Sequence, residues 1–172
     1  MKPFVAVAGA MMLAVAGCSV GAADRQEPAA LLGKSAPDFK LALLEGGEVE
    51  LSALKGKNVV LLDFWATWCG PCRQVMPALD KVSRDYASKG VRYLAVNLRE
   101  DPAKIRAYLK QAGLEIEVPL DKDGKVAESY HVRGIPTMVI VDKQGIVREV
   151  HVGASANLET ELRKNLDKIV GR

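Results

Sequence analysis

"FWATWCGPC", residues 64–72, carries two cysteines two residues apart, with Gly70-Pro71 between them and Trp68 in front. Such a pair can grip a metal, staple a loop, or pass electrons by opening and closing, and its surroundings must decide. Upstream, "NVVLLDFW" (58–65) is a nearly continuous apolar run, the pattern of a strand buried on both faces. Downstream, Val75, Leu79, Val82 and Tyr86 recur at helical spacing and predict a helix over 71–89. Pro71 suits its first turn and Gly90 its end, while Pro77, well inside, should kink it. Cys69 therefore falls where a strand meets a helix, and Cys72 one turn further in.

The rest of the chain builds outward from that junction. "FKLALLEGGEVELSAL" reads as two short strands joined across Gly46-Gly47. "VRYLAVNL" (91–98) is a second buried strand. Asp101-Pro102 then supplies an N-cap and first helical residue for a helix to Ala112. A short strand over 118–120 and a short helix over 125–130 follow. "TMVIVDKQGIVREVHV" predicts a hairpin turning at 143–145, and Leu158, Leu162, Leu166 and Ile169 mark a closing amphipathic helix. Strands and helices alternate, then a hairpin and a helix finish: an α/β sheet covered by helices.

The 172 residues carry a formal charge of only +3, with scattered cations, which argues against nucleic acid as a partner. Interior segments are too short and too broken by charge to span a bilayer. The first residues, "MKPFVAVAGAMMLAVAGC", have one cation, an apolar run and small residues, the layout of a secretory signal. The ending "VAGC" resembles the lipobox of bacterial lipoproteins, which implies that Cys18 is acylated and begins the mature protein. Residues 1–17 are then signal peptide, 18–32 the acylated cysteine and a flexible tether of roughly 20 Å r.m.s. reach, and 33–172 the folded domain. Of three cysteines, one pair remains, Cys69 and Cys72, in a location where disulfides persist.

Zinc needs four ligands, and the only further candidates, His131 and His151, lie far downstream without paired spacing. Two thiolates suit cuprous copper, although Met76 alone is thin support for a copper carrier. A purely structural disulfide closing so small a ring adds little stabilisation. Redox exchange has the stronger physical basis. A cysteine at a helix N-terminus faces unpaired N–H groups and the positive end of the dipole, and both favour the attacking thiolate. Cys69 would attack a substrate disulfide and Cys72 would resolve the adduct.

"DFWATWCGPC" resembles the active-site stretch of thioredoxins. Pro77, "RGIPT" (133–137) and "VGA" (152–154) resemble that family's helix proline, cis-proline loop and neighbouring turn. "GKSAPDFKL" and "LSALKGKNVVLLDFWATWC" look like the membrane-tethered TlpA/ResA branch. The resemblance implies a thioredoxin-like fold, a central mixed β-sheet flanked by helices with an N-terminal β-hairpin extension. It implies an exported, membrane-anchored thiol:disulfide oxidoreductase without a cofactor or metal, supplied by a membrane electron donor. It would reduce extracytoplasmic protein disulfides through a strongly reducing CGPC dithiol, with cytochrome c maturation as a branch role. It further implies a cis peptide at Ile135-Pro136, with Ile135 offering backbone to the substrate, and places Trp68, Gly70 and Pro71 around the pair. Asp63, a costly charge inside an apolar strand, becomes the base that deprotonates Cys72. Val75 departs from the branch, which often has an acidic residue there, so proton handling falls on Asp63. "APDF" also occurs in peroxiredoxin relatives, but the threonine expected three residues before a peroxidatic cysteine is here Thr67, only two before Cys69.

Overall fold

The computed structural model describes residues 27–171. The expected signal peptide, the expected acylation site at Cys18 and most of the expected tether therefore lie outside the described residues. A five-stranded sheet forms the centre, in the order β5–β4–β3–β6–β7. Its strands are β3 (Val59–Trp65), β4 (Val91–Leu98), β5 (Leu120–Asp121), β6 (Thr137–Val141) and β7 (Val147–Val152). β3, β4 and β5 run parallel, while β6 and β7 are antiparallel to their neighbours. All seven residues of β3 are buried, as a strand covered on both sides must be.

Because strand side chains alternate, β3 feeds two cores. Val59, Leu61 and Trp65 pack with α1 (Gly70–Tyr86), α2 (Pro102–Ala112) and α4 (Leu158–Val170). Val60, Leu62 and Phe64 face the other way, toward the small antiparallel hairpin of β1 (Lys40–Ala42) and β2 (Glu48–Glu50) and toward α3 (Lys125–Ser129). Among the described residues no helix is long and apolar enough to cross a membrane.

Local chemistry sets the helix ends. Asp101 caps α2 by accepting from the Ala103 amide at 2.7 Å, with Pro102 in the first turn. α1 contains Pro77 and passes through a 3-10 turn into Gly90, whose φ of 85° ends the helix at little steric cost. Two segments differ from their sequence reading. β5 holds only two residues, and Pro119 before it makes just an isolated bridge to Leu43. Pro28–Leu31, read as part of the tether, forms a 3-10 turn with Leu31 buried in the second core. Gly33 beyond it donates to the Val147 carbonyl at 2.9 Å, so packing begins about five residues before the expected position 33.

Candidate active site

β3 ends at Trp65, whose indole N–H donates to the Ala95 carbonyl at 3.1 Å inside the core. The chain then crosses 66–68 and enters α1 with Cys69 as its N-cap. Cys69 and Cys72 are joined by a disulfide. Cys69 Sγ accepts from the Cys72 amide at 3.1 Å, so this sulfur satisfies one of the helix's unpaired donors. The two cysteines are unequally placed: Cys69 keeps 5% exposure and Cys72 none. Pro71 is exposed beside them, and Gly70 has open space where a side chain would stand.

The loop before β6 closes the other side. Ile135-Pro136 is a cis peptide, and the Ile135 carbonyl oxygen lies 3.7 Å from Cys69 Sγ. Thr137 Oγ1 donates to the Gly134 carbonyl at 2.7 Å, and the Gly153 amide to the Pro136 carbonyl at 2.8 Å. The 152–154 turn is thereby fixed against this loop. Two of the three large apolar side chains that stand exposed among the described residues, Trp68 and Val152, flank the pair.

Beneath the pair lies Asp63. Its alternation with Leu61 and Trp65 puts it on the β3 face that carries Cys69, Cys72 and Met76, between Ala95 of β4 and Met138 of β6. The carboxyl is fully buried. Tyr93 Oη donates to Oδ2 at 3.2 Å, while Oδ1 has no hydrogen-bond partner. Burial raises its pKa from 3.8 to about 7, against the lowering effect of the Tyr93 bond. Tyr93 itself is pushed well above its usual 10 by burial and the neighbouring Asp63, so it remains a donor across the physiological range. Val75 is buried and brings no charge.

Two participants carried no local signal in the sequence. Glu100 Oε2 accepts from the Thr67 amide at 2.6 Å and its Oε1 from the Thr67 hydroxyl at 2.6 Å; Asn97 Nδ2 donates to Oε2 at 2.9 Å. This carboxylate fixes the loop that presents Trp68 and Cys69. Tyr93 was equally hidden, because its link to Asp63 depends on the β3–β4 register. His151, next to the last residue of β7, is largely enclosed, 3.7 Å from Glu149 and 3.8 Å from Glu161. Among the described residues no group of three or more His, Cys, Asp or Glu side chains is arranged to hold a metal ion.

A redoxin family profile matches residues 31–168. The thioredoxin-like protein YneN of Bacillus subtilis is 41% identical over 138 residues, covering 78% of this chain and 79% of its own. The thiol-disulfide oxidoreductase ResA of Bacillus anthracis is 38% identical over 130 residues, covering 76% and 75%. Among solved structures, a Chlorobium tepidum protein proposed to be the thiol:disulfide interchange protein DsbE superposes with a TM-score of 0.75 at 37% identity, covering 81% of this chain and 97% of that one. The thioredoxin domain of a thiol-disulfide oxidoreductase from Bacteroides vulgatus gives 0.69 at 27% identity, covering 77% and 96%. With a disulfide at a helix N-terminus, a cis-proline loop against its outer sulfur and a thioredoxin-like sheet beneath, the chain belongs to the redoxin family and is a thioredoxin-like thiol:disulfide oxidoreductase.

Proposed function

We propose that this enzyme works outside the cytoplasm, held to a membrane by a lipid on Cys18, and reduces disulfides of exported proteins, apocytochromes among them. The observation that carries the mechanism is the capping contact between Cys69 Sγ and the Cys72 amide. Once the pair is reduced, the same N–H and the helix dipole favour the anionic form of this sulfur, the nucleophile of the exchange. Cys69 attacks one sulfur of the substrate disulfide, forming a mixed disulfide and expelling the other as thiolate. Cys72 gives its proton to Asp63 and attacks Cys69 Sγ, releasing the second substrate thiolate and leaving the enzyme disulfide. Two electrons pass to the substrate, and a membrane donor restores the dithiol.

The exposed Trp68 and Val152 and the backbone of Ile135 would hold an extended substrate across the pair, in the manner of strand addition. The CGPC sequence supports a reducing role, since Gly-Pro between the cysteines resembles the strongly reducing thioredoxins. The "VAGC" ending and the apolar run before it support export and acylation.

Cysteine trapping tests the mechanism. With Cys72→Ala, mixed disulfides with exported proteins should accumulate on Cys69, because nothing resolves them. With Cys69→Ala, the fully enclosed Cys72 should trap almost none. Equal trapping by both variants, or by neither, removes Cys69 as the nucleophile. Cys18→Ala should release the protein from membranes and abolish acyl labelling; labelling that persists removes the lipid anchor.

A further inference from the structure

Beside the disulfide runs a groove of about 490 Å³ with Trp68, Leu98 and Val132 as its apolar part and Arg99, Arg133 and Glu128 as its charges. Two of its lining residues, Trp68 and Arg133, are close in sequence to groups that touch the reacting sulfur. Trp68 immediately precedes Cys69, and Arg133 lies two residues before Ile135, whose carbonyl oxygen is 3.7 Å from Cys69 Sγ.

The arginines of this protein divide by place. Arg84, Arg92, Arg106, Arg148 and Arg163 each form an ion pair with a carboxylate. The others among the described residues are Arg73, Arg99 and Arg133, and none of these three pairs with a carboxylate there. Arg73 follows Cys72 in the first turn of α1, and Arg99 and Arg133 line the groove that begins at Trp68. Glu128 shares the groove wall and pairs with neither, so the cations are in excess.

Arg99 is also held at a conformational cost. Its φ of 56° is left-handed, a region that residues with a side chain enter rarely and at a penalty. The guanidinium lies across Gly124, where a Cβ would come within 2.3 Å of Nε and Nη2. Nε donates to the Asp123 carbonyl at 3.2 Å, and the other donors of the fork have no partner among the described residues. A strained backbone and a glycine together keep a planar cation free at the groove, the geometry that grips carboxylates.

We propose that Arg99 and Arg133 select among protein disulfides, favouring an extended segment with Asp or Glu beside the reacting cysteine. This specificity rests on the reductase reading above. The charges steer encounter and fix which way the segment lies; the chemistry at sulfur is unchanged.

The test uses the reduced protein and two peptides of equal length, each closed by one disulfide, with Glu or with Lys flanking the cysteines. The rate of enzyme oxidation should be roughly tenfold higher with the Glu peptide at low ionic strength, and the ratio should shrink as salt is added. In the Arg99→Gln, Arg133→Gln double variant the ratio should fall below about twofold. Equal rates with both peptides, or a ratio that survives the double substitution, overturn the specificity. Wild-type protein that fails to reduce neutral 2-hydroxyethyl disulfide would overturn the reductase reading, and the specificity with it.

Discussion

Two aspartates are sealed completely inside this molecule, Asp63 in the centre of β3 and Asp121 at the end of β5. Asp121 receives the Val126 amide at 3.3 Å on Oδ1 and the Ala127 amide at 2.9 Å on Oδ2. Both oxygens are thus used by the first turn of α3, and the carboxylate works as a fixed anchor. Asp63 has a single phenol at 3.2 Å and an oxygen with no partner. Burial is the same at the two sites, so the supply of donors makes the difference. Donors that saturate a buried carboxylate turn it into structure; too few leave it ready to exchange a proton near neutrality.

Asp121→Ala strands two buried amides and unties the start of α3, and should cost about 3 kcal/mol of stability. Urea unfolding measures it. A loss below about 1 kcal/mol would mean that the two contacts are incidental, and that the contrast with Asp63 is not one between anchor and base.

Asp63→Asn should do the opposite. The folded pKa is raised from 3.8 to about 7, so between those values the folded protein holds a proton that the unfolded chain has released. Wild-type stability therefore falls as pH rises through that window, the deficit being absent below 3.8 and complete above 7. That displacement corresponds to roughly 4 kcal/mol. An asparagine still buries an under-bonded amide at a cost of about 2 kcal/mol at any pH, which leaves a net gain of about 2 kcal/mol at pH 8 and a net loss of about 1–2 kcal/mol at pH 4. Resolution by Cys72 should slow roughly 100-fold if Asp63 is the proton acceptor proposed above. Unfolding at the two pH values and stopped-flow decay of the mixed disulfide check both halves. Lower stability at pH 8 with unchanged decay would remove Asp63 from the mechanism.

Much of this was legible in the sequence because its signals were local. An apolar run with one aspartate predicted both the buried strand and its odd residue. Asp101-Pro102 marked the start of α2, and the cysteines with Gly-Pro between them marked the start of α1. What stayed hidden joins distant residues through the sheet. Tyr93 meets Asp63 thirty positions away, and Glu100 grips Thr67 at thirty-three. Neither contact has a composition or a period, because each exists only once the β3–β4 register is set. Leu31 was missed for a related reason: in "PAALLG" (28–33) nothing periodic separates the buried Leu31 from the exposed Leu32, and its burial depends on a β7 edge brought close by the fold.

The donor supply at Asp63 can be changed with the carboxyl left in place, through Tyr93. Tyr93→Phe removes the one hydrogen bond that Asp63 accepts, making its site less like that of Asp121. That bond favours the charged form, so its loss should raise the Asp63 pKa beyond about 7. The midpoint of the pH profile for resolution should then move to higher pH, by less than about one unit, since one neutral hydrogen bond contributes roughly 1 kcal/mol. Stability should fall by a similar small amount, as an acceptor already short of partners loses its last. The shift isolates the donor because Tyr93 stays protonated throughout the measured range and adds no titration of its own. A midpoint that moves to lower pH, or stays fixed while stability drops, would show that the phenol packs against Asp63 without tuning it.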